Sequence, residues 1–190
     1  MSNARKKVII RRFTGDTLPG YLPLSCFVRG QAPAQVIDLL DLSGRIAEIA
    51  LKDIKTISFV RDFNLTDAIN PERLARRTFL ARPRNEGLWV RITFPSPDHA
   101  PDLLEGLAAT DISLIDSLLD DHGLSISPPD IRSNTQRIFV PRSAISDLQL
   151  LAVITTPSRK PVPVQTPEQL RKELQESLFQ TPTPPNTRPN

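Results

Sequence analysis

A chain of 190 residues, 39% hydrophobic and 24% charged, holds one ordinary domain or two small ones and has enough apolar side chains for a packed core. The net charge of +3 points to no partner class by itself, and the lone Cys26 excludes an intramolecular disulfide. No run approaches the ~18 apolar residues of a membrane span, and "MSNARKKVIIRRF" lacks the apolar core of a secretory leader, so a cytoplasmic protein is expected.

The first unit is expected over 5–63. "KVIIRRF" (7–13) is a β-branched strand, "TGDTLPG" a turn reversing at Gly15-Asp16, and "YLPLSCFV" a second strand. "AQVIDLLDLSG" and "RIAEIALKDIKTISFV" complete it. The last of these breaks at Ala50 to Asp53, which predicts a single helical turn before Ile54 to Val60 re-enters the sheet.

A connector follows over 64–85. Asn64 or Thr66 suits a helix cap and Pro71 the first turn of "PERLARR", so a partly helical segment is predicted. Phe63, Leu65, Ile69, Leu74 and Phe79 are its expected apolar anchors, with the arginines facing water.

The second unit is expected over 86–154. It opens with "LWVRITF" (88–94), turns through "PSPDHAPD", and continues as strands in "LLEGLAA", "ISLIDSLL" and "GLSISPP". "QRIFVPRSAISDLQLLAVI" (136–154) closes it, with Pro141 marking an edge or a bulge.

The two units align. Ile49 to Ile57 lies against Val140 to Leu148 without gaps, placing Ile54 on Ile145. Phe13 matches Phe94, and Gly20-Tyr21 matches Gly106-Leu107. The predicted fold is mainly β: two tandem small Sm-like or SH3-like barrels joined by the partly helical connector. Such barrels remove the exposed edges of short open sheets. The rival arrangement is one larger sheet with a shared core.

After Ile154 the composition changes. Residues 155–165 form a proline-set linker. Residues 166–179 read as an amphipathic helix capped by Thr166, with Pro167 and Gln169 completing the start signals. Its stripe of Leu170, Leu174, Leu178 and Phe179 seeks a partner surface. Residues 180–190 are disordered by composition.

Charge is unevenly spread. Residues 1–13 and 71–91 are basic, while 98–130 holds eight acids and no Lys or Arg. These are solvated faces, a basic face for an acidic partner, or an acidic face that meets the chain's own basic one.

Signals for chemistry are few. His99 and His122 have no partner at metal-ligand spacing, and one Cys excludes the usual zinc sites. Asp120-Asp121-His122-Gly123 reads as a hairpin turn. Gly-rich phosphate loops and nucleophile elbows are absent from the sequence. No enzyme, cofactor or metal is expected. "DLSG" (41–44) is similar to the D-x-S-x-x-G of PilZ domains, which bind cyclic di-GMP. Gly44 falls two residues early, however, and the R-x-x-x-R of Arg73 and Arg77 follows Asp41 instead of preceding it.

Binding signals are stronger. "RRF", "FVRDF", "RRTF", "QRIFVPR" and Trp89 in "LWVRI" set arginines beside aromatics, as nucleic-acid surfaces do. "PPDIRSNTQ" (128–136) reads as a polar turn feeding a strand, with a candidate rim of Arg132, Asn134, Gln136, Arg137 and Arg142 at the barrel mouth. A non-enzymatic binding or adaptor module is expected. Its partner is another protein, reached through the barrels or the helix; the alternative is RNA or a nucleotide at the arginine-rich rim.

Four stretches, "KVIIRRFTGDTLPGYLPL", "ALKDIKTISFVRDFN", "NPERLARRTFLARPRNEGLWVRITF" and "PPDIRSNTQRIFVPRSAISDLQLLAVI", resemble an uncharacterised bacterial family of acidobacteria and their relatives. Its marks are an "FVRDF"-type junction and a "SNTQRIFVPRSAI"-type ending. The resemblance covers about residues 5–160. It implies the fold and a bacterial source, and it supplies no site residues because the family carries no assigned activity.

Overall fold

The computed structural model describes residues 5–24, 26–74, 76–96, 102–110, 122–130 and 132–155. The linker, amphipathic helix and tail predicted beyond Thr155 lie outside the described residues. So do most of the turn at 97–101 and the strand expected in "ISLIDSLL".

Strand β1 (Arg5–Arg12) pairs with β2 (Thr17–Pro23). Strand β2 starts inside the expected turn, because Gly15, at φ +91, reverses the chain within Phe13 to Asp16. The short β3 (Val28–Arg29) and β2 share one side of β4 (Val36–Asp41), and β5 (Ile46–Ala50) takes the other. A 3-10 turn at Leu51–Asp53 leads into β6 (Ile54–Val60), which returns to β1.

The later half follows the same order. Strand β7 (Gly87–Phe94) pairs with β8 (Asp102–Ala108), β8 with β9 (Gly123–Ser127) and β9 with β10 (Thr135–Pro141). A second 3-10 turn at Arg142–Ala144 precedes β11 (Asp147–Ile154), which pairs with β7.

Where the sequence predicts two barrels, all eleven strands join one antiparallel sheet. The link is β6 against β10, with Ile57 facing Phe139 and Phe59 facing Arg137. Almost every residue of β6 is buried, as suits a strand with neighbours on both sides. Strand β10 divides its alternating side chains between two cores. Phe139 enters the cluster of Val8, Ile10, Leu22, Ile37, Leu39 and Ile57. Ile138 and Val140 enter that of Val90, Ile92, Phe94, Leu104, Leu124 and Ile126. Pro141 is the last residue of β10, beyond its pairing with β6, so its missing N–H costs that ladder nothing.

The glycines at 20 and 106 answer to close packing. A Cβ on Gly20 would lie 2.6 Å from the Leu39 side chain and the Leu40 carbonyl, and one on Gly106 would lie 2.6 Å from the Ile126 side chain. Gly20 faces Val8 and Gly106 faces Val90.

The connector differs from prediction. Among the described residues of 64–85 there are turns and bends and no helix. Asp67 Oδ1 accepts from the backbone of Ile69 and Asn70, and Asn70 Oδ1 accepts from Leu74 N. These local bonds compete with helical ones. Arg73 adds a break at φ +48. Phe63 and Phe79 are partly buried, edge-on to Tyr21 and Trp89, and Leu74 packs on the second core. Leu65 and Ile69, expected as anchors, are 60% and 87% exposed. Arg73, Arg76 and Arg77 do face solvent.

Candidate binding surface

The stretch 128–136 is a turn that bonds backbone. Asp130 Oδ1 accepts from Arg132 N at 3.0 Å, and Ser133 Oγ donates to the Thr135 carbonyl. Asn134 clasps Asp62 on both sides: its Oδ1 accepts from Asp62 N at 3.0 Å and its Nδ2 donates to Asp62 O at 2.6 Å. The buried Thr135 hydroxyl donates to the Glu72 carbonyl at 2.7 Å.

The five candidate rim residues therefore separate. Arg132, Gln136 and Arg142 are exposed. Asn134 is committed to the backbone of Asp62. Arg137 lies on the other face of β10, its guanidinium 4.3 Å from the Phe59 ring centre and bonded to the Leu24 carbonyl at 2.7 Å. Burial lowers its pKa from the ordinary arginine value. Arg142 follows the far end of β10, a strand of seven residues, so about 20 Å of strand separates it from Arg132. Of the exposed three, Gln136 lies on β10, while Arg132 and Arg142 lie in the turns before and after it.

"DLSG" forms the tip of the β4–β5 hairpin. Asp41 Oδ1 accepts from Ser43 N and Arg45 N, and Gly44 takes φ +85. These contacts close a turn. Ser43 and Arg45 also hold the Asp41 carboxyl below the usual range.

The connector crosses the sheet, and its anchors are buried carboxylates. Glu72 is 5% exposed and takes a two-pronged bond from Arg11 of β1, at 2.7 and 2.8 Å. The hydrogen bond to Glu72 raises the pKa of Arg11. Glu105 on β8 is 2% exposed. Its Oε1 accepts twice from Arg91, and its Oε2 accepts from Phe79 N and Trp89 Nε1. Burial alone would raise the Glu105 pKa, but these bonds outweigh it and hold the carboxyl below its usual range.

Asp102 follows the same pattern. Burial acts upward, and Lys55 and Arg77 overcome it. Arg77 lies 2.6 Å from Asp102, and Lys55 donates to it from β6. The acidic stretch therefore meets the chain's own basic stretches at Asp102 and Glu105. Beneath the connector lies a cleft of about 320 Å³, lined by Arg11, Lys55, Ser58, Glu72 and Arg77 among others. Its charged walls are already paired, Arg11 with Glu72 across the cleft and Lys55 and Arg77 with Asp102.

Strand β11 presents a different surface. Among the described residues it pairs with β7 alone, which leaves its other side unpaired. Leu148, Leu150 and Val153 are each about half exposed, at 48%, 58% and 53%. Its eight residues, "DLQLLAVI", include no Lys, Arg or Pro, the side chains that usually blunt an edge. Sequence reading missed this edge, although the absent Lys and Pro were its signal. It also missed Glu72 and Glu105. For Glu105 the signal was an acid set among leucines in "LLEGLA".

No three His, Cys, Asp or Glu gather as a metal site among the described residues, and no helix there is long and apolar enough to cross a membrane. Leu170, Leu174, Leu178 and Phe179 lie outside the described residues. A family model matches residues 4–152: a family of unknown function, DUF6982. The chain belongs to that family. No curated protein and no solved structure matches it. Membership in DUF6982 brings no assigned activity.

Proposed function

We propose that this DUF6982 protein is a non-enzymatic cytoplasmic binding module that engages another protein by adding a strand to the edge of β11. The observation that carries the reading is the eight-residue edge itself, unpaired on one side among the described residues and bearing Leu148, Leu150 and Val153 half exposed. Backbone N–H and C=O groups on such an edge give affinity, and alternate side chains give selectivity.

The scaffold in this reading is a tandem of two Sm-like or SH3-like five-strand units. Support comes from strand order: β6-β1-β2-β4-β5 in one half and β11-β7-β8-β9-β10 in the other. Each has a 3-10 turn before its last strand. The acidobacterial kinship suggested by the "FVRDF" and "SNTQRIFVPRSAI" motifs belongs to the same proposal. So does a second contact through the stripe of Leu170, Leu174 and Leu178.

The alternative partner is RNA or a nucleotide along Arg132, Gln136 and Arg142. Their exposure favours it. The commitment of Asn134 and Arg137 to internal contacts weighs against it.

The test is a photo-crosslinking residue placed at Leu150 in one variant and at Arg132 in another, each expressed in the producing cell. A protein adduct is expected at 150, and it is expected to be lost on adding Leu148→Lys. No protein adduct at 150, with RNA captured at 132, would establish the alternative.

A further inference from the structure

We infer that the partner for β11 is a second copy of this chain, which offers its β5 edge, so that copies associate head to tail. This rests on the strand-addition reading above and specifies its occupant.

The internal junction supplies the template. Strands β6 and β11 hold the same place in the two halves, and so do β10 and β5. The two halves are joined by β6 against β10, the last strand of one against the next-to-last of the other. Among the described residues the same two kinds of edge have no second partner strand: β11 is again a last strand and β5 again the one before the last. Among the described residues β5 pairs only with β4, and β11 only with β7. A β11–β5 contact between copies would therefore repeat a junction this fold already makes.

Register makes the inference specific. Both 3-10 turns lead into their last strands, at Ile54 in one half and just after Ile145 in the other, which sets Ile57 with Leu148 and Phe59 with Leu150. On the other strand, Leu39 and Ile126 each cover a glycine, and they face Ala47 and Ile138 respectively. Ala47 thus corresponds to Ile138, and Ile46 to Arg137. In the internal junction Arg137 faces Phe59, its guanidinium against the ring. The corresponding pair between copies is Ile46 with Leu150. These are among the exposed apolar side chains of the protein, at 65% and 58%. The internal template therefore sets against each other two hydrophobic residues that each chain leaves in water. Such a contact joins unlike surfaces, so it closes into a ring or continues as a filament.

The test uses the full chain, with mass measured by light scattering over a concentration series. Wild-type protein is expected to associate, and Leu150→Lys and Ile46→Lys are each expected to be monomeric at the same concentrations. Mixing the two variants is expected to restore a one-to-one complex, because one retains β5 and the other β11. That restoration also shows that both variants fold. A monomeric wild type overturns the inference. So does association that survives Ile46→Lys, which would mean β11 pairs with β11. Association that appears only after residues 157–190 are removed also overturns it, since that segment would then be the occupant. A monomer that still crosslinks a different protein at position 150 refutes self-assembly alone. Absence of any protein adduct there refutes strand addition as well.

Discussion

Replacing Glu105 probes how the connector is fastened. The carboxylate accepts four hydrogen bonds, at 3.0 and 2.7 Å from Arg91, 3.0 Å from Phe79 N and 3.2 Å from Trp89 Nε1. Its side chain is 3% exposed, while that of Arg91 is 37% exposed. Removing one member of a buried pair costs roughly 3–5 kcal/mol when the other stays buried. Arg91 can rehydrate, which lowers that figure. Phe79 N and Trp89 Nε1 lose their acceptor at about 1 kcal/mol each, the low end for partly buried donors. Glu105→Ala is therefore expected to cost about 3 kcal/mol, or roughly 6–12 °C in melting temperature for a domain of this size. Glu105→Gln keeps one acceptor oxygen and is expected to fall between wild type and Ala.

The pH dependence gives a second reading of the same group. Its folded pKa lies below the usual 4.5, so the stabilisation is fully present above that value and is lost as pH falls through the folded pKa. The gap between wild type and Glu105→Gln is expected to narrow below about pH 4.5. Thermal melts followed by circular dichroism from neutral to acid pH measure both effects. A Glu105→Ala protein melting within about 2 °C of wild type would refute this account of the connector.

The two glycines are expected to differ in how they can be rescued. Gly106→Ala has its nearest contacts in the Ile126 side chain, so the roughly 1–3 kcal/mol of overpacking is expected to be partly relieved by Ile126→Val. Gly20→Ala also meets the Leu40 carbonyl, and Leu39→Val is expected to restore little; denaturant melts of the single and double variants decide both cases. Arg137→Ala is expected to cost about 1–2 kcal/mol through loss of the Phe59 contact and the Leu24 bond, whereas Gln136→Ala stays within about 0.5 kcal/mol by the same measurement.

Parts of this architecture are legible in the sequence for local reasons. "ALKDIKTISFV" interrupts two apolar runs with Lys52 and Asp53, and the structure places a 3-10 turn at Leu51–Asp53 and a strand from Ile54. Gly20 and Gly106 each sit where a facing strand comes too close for a Cβ. The pairing of Phe13 with Phe94 fails by a single residue. Ile10 faces Ile57 and Ile92 faces Leu148, which sets Phe94 against Arg12. A register slip of one reverses the face, and Phe13 is 41% exposed where Phe94 is 2%. The connector's cap and proline signals are outweighed by the side chains of Asp67 and Asn70, which bond nearby backbone, and its seat on the sheet rests on Arg11, 61 positions away from Glu72. The joining of two halves into one sheet is also non-local. Alternation of side chains reports which face of a strand is buried and carries no information on which edge it pairs.

The allocation of charge is what turns the functional reading from nucleic acid toward protein. Arginines beside aromatics suggest a phosphate-binding surface when only the sequence is read. In the folded chain Arg11, Arg77 and Arg91 face Glu72, Asp102 and Glu105. Arg137 lies over Phe59. These cations hold the connector and the β6–β10 junction in place, and a phosphate would have to displace partners that are themselves buried or half-buried. Affinity from phosphate contacts grows with the number of cations free to neutralise them. Among the described residues the β11 edge has no such pairing to break: its backbone groups are unpaired on one side. The proposed contact at β11 therefore asks for no internal pair among the described residues to be broken, whereas one at Arg11, Arg77 or Arg91 does.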